Sequence, residues 1–288
     1  RGFRGPFRPP LPAPPPGRGR KRPNRLDLRK TIFVLPNAIT LAAVFCGFNA
    51  IRLVASAPPG ADPEIFYRAA VLLIFSMLFD LMDGRVARLT KTQSAFGLQI
   101  DSLADVISFG VAPALLVYQW VLYRLPVVGL LASFSFVACA AIRLARFNVL
   151  SSNESGAPTK PGKYIVGLPS PPASGVLISV VVANHAMDGA LGDPRYTIAI
   201  LIMTVGIGLL MVSNVRFRSF KDLRLNTGTI LFVLFVIVSS VFVWQRFRPQ
   251  FVLVWLLSFY VLIGLIESIR ALALRLFSGD KRDVNPEA

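Results

Sequence analysis

Long apolar stretches separated by short polar segments dominate this chain of 288 residues. A helix that crosses a bilayer needs about 20 mostly apolar residues. Eight stretches reach roughly this length, at about 33–54, 67–89, 95–120, 126–147, 168–187, 195–213, 227–246 and 249–274. The hydrophobic pattern therefore predicts an all-α polytopic membrane protein with about eight transmembrane helices.

The composition supports this class and argues against a soluble domain. Hydrophobic residues make up 54% of the chain, and its mean hydropathy is +0.60, an apolar fraction that soluble domains rarely reach. We expect a single transmembrane domain over 31–276. A disordered basic tail rich in Pro and Arg would precede it at 1–30, and a short cytoplasmic tail would follow it at 277–288.

The net charge of +16 is unevenly distributed along the chain. Lys and Arg are concentrated in 1–32, 85–91, 143–163, 216–224 and 270–282. The loops near 55–66, 121–126 and 186–194 hold very few. By the positive-inside rule, this alternation predicts that both termini lie in the cytoplasm. The basic tail is expected to interact with anionic membrane lipids. We predict no nucleic-acid partner, because no nucleic-acid-binding fold accompanies the tail.

Four aspartates interrupt the second and third apolar stretches. They form the string D-x2-D-G-x2-A-R-x8-G-x3-D-x3-D, with its carboxylates at Asp80, Asp83, Asp101 and Asp105. One ionised carboxylate at membrane depth costs about 2.5 kcal/mol or more. Four such groups close together in the sequence imply a compensating partner, most simply divalent cations.

The spacing of these aspartates indicates one shared cluster. Asp80 and Asp83 are three residues apart, and Asp101 and Asp105 are four apart, so each pair shares one face of a helix. Two helices that face each other through these pairs would bring the four carboxylates together. Small residues lie on the same faces and leave room for a bulky ligand: Gly84, Ala87 and Gly97.

This set of residue types is typical of metal-assisted phosphoryl transfer. Oxygen ligands suit Mg2+ or Mn2+, and no Cys/His set offers a zinc site. Arg88, beside the cluster, is suited to a phosphate. The alternatives are interhelical salt bridges, helix ends that reach water, an ion site of a cation transporter, and a lipid-binding scaffold without catalysis. No clear repeat symmetry or broken helices favour the transporter.

The string resembles, without a gap, the signature of the CDP-alcohol phosphotransferases, membrane enzymes that make phospholipids. The resemblance implies that two divalent cations are held by Asp80, Asp83, Asp101 and Asp105. It also implies that Asp105 is the general base. The same signature would place the nucleotide and diphosphate of the CDP substrate against Gly84, Ala87, Arg88 and Gly97.

Two polar residues of the first apolar stretch extend this prediction. Asn37 and Thr40 are three residues apart and would share a helix face near the cytoplasmic end. They would either contact the nucleotide of CDP-diacylglycerol or form interhelical hydrogen bonds.

Four further segments resemble stretches of bacterial and archaeal phosphatidylserine synthases, a branch of the same family. They are LPNAITLAAVFCGFNAI (35–51), AIRLARFNV (141–149), VGLPSPPASG (166–175) and MVSNVRFRSFKDL (211–223). This resemblance implies CDP-diacylglycerol and L-serine as substrates, a homodimer, and a place in a bacterial cytoplasmic (inner) membrane. The same chemistry with glycerol-3-phosphate, inositol phosphate or choline as the acceptor remains the alternative.

The segment 141–149 carries the candidate residues for the acceptor. Arg143 and Arg146 are three residues apart and would present adjacent guanidinium groups, which suit a carboxylate or a phosphate. Either arginine could hold the serine carboxylate, with Asn148 and Lys163 as further candidates. Alternatively, the arginines extend to the membrane surface and only set the topology.

Overall fold

The computed structural model describes residues 28–58, 61–90, 92, 94–151, 164–218, 227–246 and 250–277. Most of the predicted basic tail and the candidate acceptor residue Lys163 lie outside these ranges. The described helices are α1 Leu28–Ser56, α2 Pro63–Leu89, α3 Ala95–Asp105, α4 Ala112–Trp120, α5 Pro126–Ser151, α6 Ser170–Ala186, α7 Thr197–Val212, α8 Thr227–Arg246 and α9 Gln250–Phe277. The strands are β1 Tyr164–Val166 and β2 Arg216–Arg218.

The helices account for the predicted apolar stretches and give the chain its membrane character. Within the described residues, five segments are long and apolar enough to cross a membrane: Leu35–Ser56, Pro63–Leu89, Phe96–Trp120, Pro126–Val149 and Pro194–Val212. Helix α6 has 17 residues, and shorter apolar segments lie in α8 and α9. The prediction of a helical membrane protein is confirmed, while the count of eight spans stays a prediction.

The third apolar stretch differs from the single helix that the sequence predicts. A π-helical segment, Val106–Val111, separates α3 from α4. The N–H of Ala112 donates to the carbonyl oxygen of Ile107, five residues earlier. Pro113 follows directly and has no N–H to continue the α-helical ladder. The wider turn begins immediately after Asp105, and such π-bulges are frequent at functional sites.

Helix α1 is fixed against α2 and the π-helical segment at one backbone carbonyl. Ala43 O accepts hydrogen bonds from Ser76 Oγ at 2.8 Å and from Ser108 Oγ at 3.4 Å. One turn later, a Cβ added to Gly47 would lie 2.7 Å from Ser108 Oγ. This close approach requires glycine and sets the position of the helix segment that follows Asp105.

Helix α6 lies in the centre of the helix bundle, with 13 of its 17 residues buried. It packs against α2 and α9, and its Gly175 lies against the Leu257 side chain of α9. A buried helix start usually leaves unsatisfied N–H groups. Here Pro171 and Pro172 occupy the first turn and carry no N–H, so the cost of burying this helix start is reduced.

A two-stranded antiparallel pair, which an all-α prediction does not include, accompanies the helices. Strands β1 and β2 pair with Ile165 opposite Phe217. Each strand has only three residues, too few for an alternating pattern to be recognised in the sequence. The pair brings the start of the Gly167–Pro169 segment close to the end of α7.

Candidate active site

The aspartate cluster, defined as Asp80, Asp83, Asp101 and Asp105, forms between α2 and α3, as the helical spacing predicts. One carboxylate oxygen from each of Asp80, Asp101 and Asp105 lies within 4.8 Å of the other two. Asp83 is outside this group of three but interacts electrostatically with Asp80 and Asp101. Its side chain is buried, with 4% of its surface exposed.

The cluster fits a divalent cation on its own chemistry. Asp83 Oδ2 and Asp105 Oδ1 are buried and have no hydrogen-bond partner among the described residues. Buried carboxylates without partners are costly, and three within reach of one ion repel each other. Oxygen donors of this kind suit Mg2+ or Mn2+. Bound divalent cations would therefore compensate the carboxylates.

The face of α2 beside the cluster is open. Gly84 is exposed, and a Cβ added there would meet no atom within 4 Å. One turn later, Ala87 is partly buried and Arg88 is exposed. The Arg88 Nε donates to the Gly84 carbonyl oxygen at 2.8 Å. This surface could take a flat ligand against the backbone, with the Arg88 guanidinium at its edge.

Helix α1 closes the other side of the cluster. Thr40 is buried, donates to the Pro36 carbonyl oxygen at 3.1 Å and also contacts the Asp83 carboxylate. Asn37 faces Gly97 of α3, because a Cβ added to Gly97 would lie 3.5 Å from Asn37 Oδ1. The structure therefore places Asn37, Thr40 and Gly97 beside the aspartate cluster, and Thr40 also forms a hydrogen bond within α1.

Arg143 reaches the cluster from α5. It is 8% exposed and interacts electrostatically with Asp105. Its Nη1 donates to Ser170 Oγ at 3.1 Å, whereas its Nε has no partner among the described residues. Tyr260 of α9 also interacts with this guanidinium. Ser170 and Tyr260 do not stand out in the sequence, because neither belongs to a motif of charged residues.

Arg146 and Asn148, two further acceptor candidates, are both hydrogen-bonded to other parts of the protein. Arg146 donates to backbone oxygen atoms at the ends of β1 and α7. Asn148 Nδ2 donates to Ser102 Oγ at 2.9 Å, which joins α5 to the α3 helix between Asp101 and Asp105. Ser102 is not predicted as a site residue, although its position between Asp101 and Asp105 places it at the edge of the cluster.

Comparison with known proteins assigns the chain to a family. The family model described as CDP-alcohol phosphatidyltransferase matches residues 33–266. A CDP-diacylglycerol--serine O-phosphatidyltransferase of Helicobacter pylori is 35% identical over 250 residues, which cover 87% of this chain and 97% of that protein.

More distant relatives carry the same name. The protein of Bacillus subtilis is 32% identical over 191 residues, which cover 65% of this chain and 91% of that protein. The protein of Methanocaldococcus jannaschii is 32% identical over 199 residues, which cover 69% of this chain and 83% of that protein. Because this family model matches most of the chain, the protein belongs to the CDP-alcohol phosphatidyltransferase family.

Proposed function

We propose that this protein transfers the phosphatidyl group of CDP-diacylglycerol to the hydroxyl of L-serine, which gives phosphatidylserine and CMP. The observation that carries the proposal is the similarity to a protein named CDP-diacylglycerol--serine O-phosphatidyltransferase, over 87% of this chain. The proposed reaction is a step of phospholipid biosynthesis, and the membrane-embedded helices suit a lipid substrate.

The aspartate cluster is the proposed catalytic centre. Asp80, Asp83, Asp101 and Asp105 would hold two divalent cations, Mg2+ or Mn2+. When bound, such cations neutralise phosphate charge and favour in-line displacement. Asp105 accepts the proton of the serine hydroxyl. The serine oxygen forms a bond to the phosphorus that carries diacylglycerol, and the bond from this phosphorus to the CMP oxygen breaks.

Residues around the cluster would hold the two substrates. The open surface at Gly84, Ala87 and Gly97 takes the cytidine, and Arg88 contacts the diphosphate. Asn37 and Thr40 bound the same space from α1. Arg143 is suited to the serine carboxylate, because its buried guanidinium lies near Asp105 and its Nε has no partner among the described residues. Direct displacement is favoured because, among the residues that the structure describes, no Ser/His or Cys/His pair lies at the cluster.

The proposed topology follows from charge and helix order. Eight spans with both termini in the cytoplasm agree with the clustering of Lys and Arg in alternate loops. This arrangement places the aspartate cluster near the cytoplasmic side, where serine enters and CMP leaves. We further propose that residues 31–276 act as one domain, as a homodimer in a bacterial cytoplasmic (inner) membrane.

The test is CMP release from CDP-diacylglycerol by the purified protein with Mg2+ or Mn2+. The acceptor panel contains L-serine, glycerol-3-phosphate, inositol phosphate and choline. We expect release with serine alone, loss of release with EDTA, and at least a hundredfold lower rate for Asp105→Asn, as is typical for loss of a general base.

Three other results of this assay would contradict parts of the proposal. Release with a different alcohol would contradict the assigned acceptor and keep the chemistry. Release that persists with excess EDTA would contradict the metal site. No release with any acceptor, from protein that still binds Mn2+, would favour a transporter or a scaffold.

A further inference from the structure

Arg143 and Arg146 lie three residues apart on α5, yet their guanidinium groups have different surroundings. The acceptors of Arg146 are Val212 O at 3.1 Å, Val166 O at 3.3 Å, Ser213 O at 3.3 Å and Asn214 Oδ1 at 3.4 Å. The two terminal nitrogens of an arginine carry four N–H groups. Four oxygen atoms of the protein therefore use all four of these groups, so neither terminal nitrogen of Arg146 has an N–H left for a substrate carboxylate.

These acceptors connect two separate parts of the chain. Val166 ends β1, whereas the other three acceptors lie at or just after the end of α7. The adjoining Gly167 has a φ of +81° and donates its N–H to Val215 O at 2.8 Å. A Cβ at Gly167 would collide with the carbonyl oxygen of Met211. Arg146 thus holds the segment after β1 tightly against the end of α7.

The same segment leads directly to the partner of Arg143. Leu168 is completely buried and donates its N–H to Leu210 O at 3.1 Å. Pro169 restricts the backbone on its way into α6. Ser170, also completely buried, then accepts from Arg143 Nη1 at 3.1 Å. The location of the Ser170 hydroxyl is therefore set by the segment that Arg146 holds.

Arg143 is the member of the pair that faces the aspartate cluster. It is 8% exposed and interacts electrostatically with Asp105. Its Nε has no partner within the part of the chain that the structure describes. A buried guanidinium with a free donor is costly unless a ligand supplies an acceptor. A carboxylate of the acceptor substrate would supply it.

We propose that Arg143, and not Arg146, contacts the acceptor, and that Arg146 and Ser170 are positioning residues that fix the Arg143 guanidinium beside Asp105. This inference rests on the proposed function, since it assigns the serine carboxylate of that reaction to Arg143. It distinguishes two arginines that the sequence alone leaves equivalent, and it adds Ser170 as a determinant of acceptor affinity.

The first test compares Ser170→Ala with Ser170→Thr, which keeps the hydroxyl. The KM values for serine and for CDP-diacylglycerol are measured separately through CMP release. We expect Ser170→Ala to raise the serine KM about tenfold, which corresponds to the loss of one charge-assisted hydrogen bond. The CDP-diacylglycerol KM should stay within about twofold, and Ser170→Thr should restore most of the serine affinity. An unchanged serine KM in Ser170→Ala would overturn the positioning role.

The second test combines Ser170→Ala with Arg143→Lys and with Arg146→Lys. If Ser170 and Arg146 act through Arg143, the effects on the serine KM are not additive in either double variant. Arg146→Lys should also lower the Tm, because lysine cannot donate to four acceptors at once. A larger rise of the serine KM in Arg146→Lys than in Ser170→Ala, with an unchanged Tm, would overturn the proposal in favour of direct contact.

The design separates this inference from the proposed function. If the wild-type protein uses another alcohol, the proposed function fails, and the same variants are judged on the KM of that alcohol. If Arg146→Lys does not fold, the test of the proposal uses the Ser170 variants and the double variant of Ser170→Ala with Arg143→Lys. Additive effects of Ser170→Ala and Arg143→Lys would then overturn the proposal.

Discussion

The candidate site depends on residues with small side chains as well as on residues that present charged groups. Gly84 is the clearest example, because it lies beside the carboxylates of α2 and a Cβ there would contact nothing within 4 Å. An unfilled position on a helix face normally favours a larger residue, since glycine costs about 0.5–1 kcal/mol relative to alanine within a helix. A ligand that needs this space explains the glycine.

A larger side chain at Gly84 is therefore expected to affect substrate binding and not folding. We predict that Gly84→Leu raises the KM for CDP-diacylglycerol at least tenfold and leaves the Tm unchanged or slightly higher. Gly206→Leu on α7 is the matched control, because a Cβ at Gly206 also meets nothing within 4 Å. The kinetics come from CMP release, and the Tm from thermal unfolding in detergent. Equal kinetic effects of the two variants would contradict the ligand space at Gly84.

At the level of elements, the junction of α1 with the π-helical segment decides where Asp105 points. Gly47 allows the backbone of α1 to approach Ser108, and the Ala43 carbonyl oxygen accepts from both Ser76 and Ser108. These contacts tie three helical segments together within two turns of the aspartate cluster. A shift at this junction would move Asp105 relative to Asp80.

We predict that Gly47→Ala destabilises the protein by about 1–3 kcal/mol, the usual cost of overpacking a core. CMP release should fall as well, because the displaced segment begins directly after Asp105. Ser108→Gly removes two of the three atoms that the new Cβ would meet. The free energy of unfolding of the double variant should therefore fall by less than the sum of the decreases in the two single variants. Fully additive losses in thermal unfolding would contradict this packing.

For the whole molecule, the distribution of charge predicts the orientation in the membrane. Arg85 is exposed, lies on α2 near the aspartate cluster and belongs to a basic segment. Ala190 is also exposed, but it lies in the connection between α6 and α7, where Lys and Arg are few. Positively charged segments are retained in the cytoplasm. The two positions should therefore lie on opposite sides of the bilayer.

Cysteine labelling in cells tests this orientation. We expect Ala190→Cys to react with a membrane-impermeant maleimide in cells with an opened outer envelope. Arg85→Cys should react only after the inner membrane is permeabilised. The native cysteines Cys46 and Cys139 are half-buried, and replacing both with serine removes their background. Labelling of Arg85→Cys from outside would reverse the proposed topology.

Local patterns explain why so much of the site could be predicted. Helix positions follow from runs of apolar residues, and residues three or four apart share a helix face whatever the rest of the chain does. These two rules, together with the expectation that buried carboxylates gather around cations, were enough to predict the aspartate cluster. The open surface at Gly84 follows from the same helical spacing.

Contacts between distant parts of the chain decided the rest. Equal spacing made Arg143 and Arg146 equivalent in the sequence, and only the packing of α5 against α6 and α7 gave them different partners. The π-helical segment, the short β1–β2 pair and the pairing of Ser170 with Arg143 likewise depend on neighbours tens of residues away. The sequence by itself determined the membrane class, the helices and the aspartate cluster, because these depend on local periodicity. The tertiary structure decided which polar groups remain available to a substrate, because hydrogen-bond saturation depends on which distant groups come into contact.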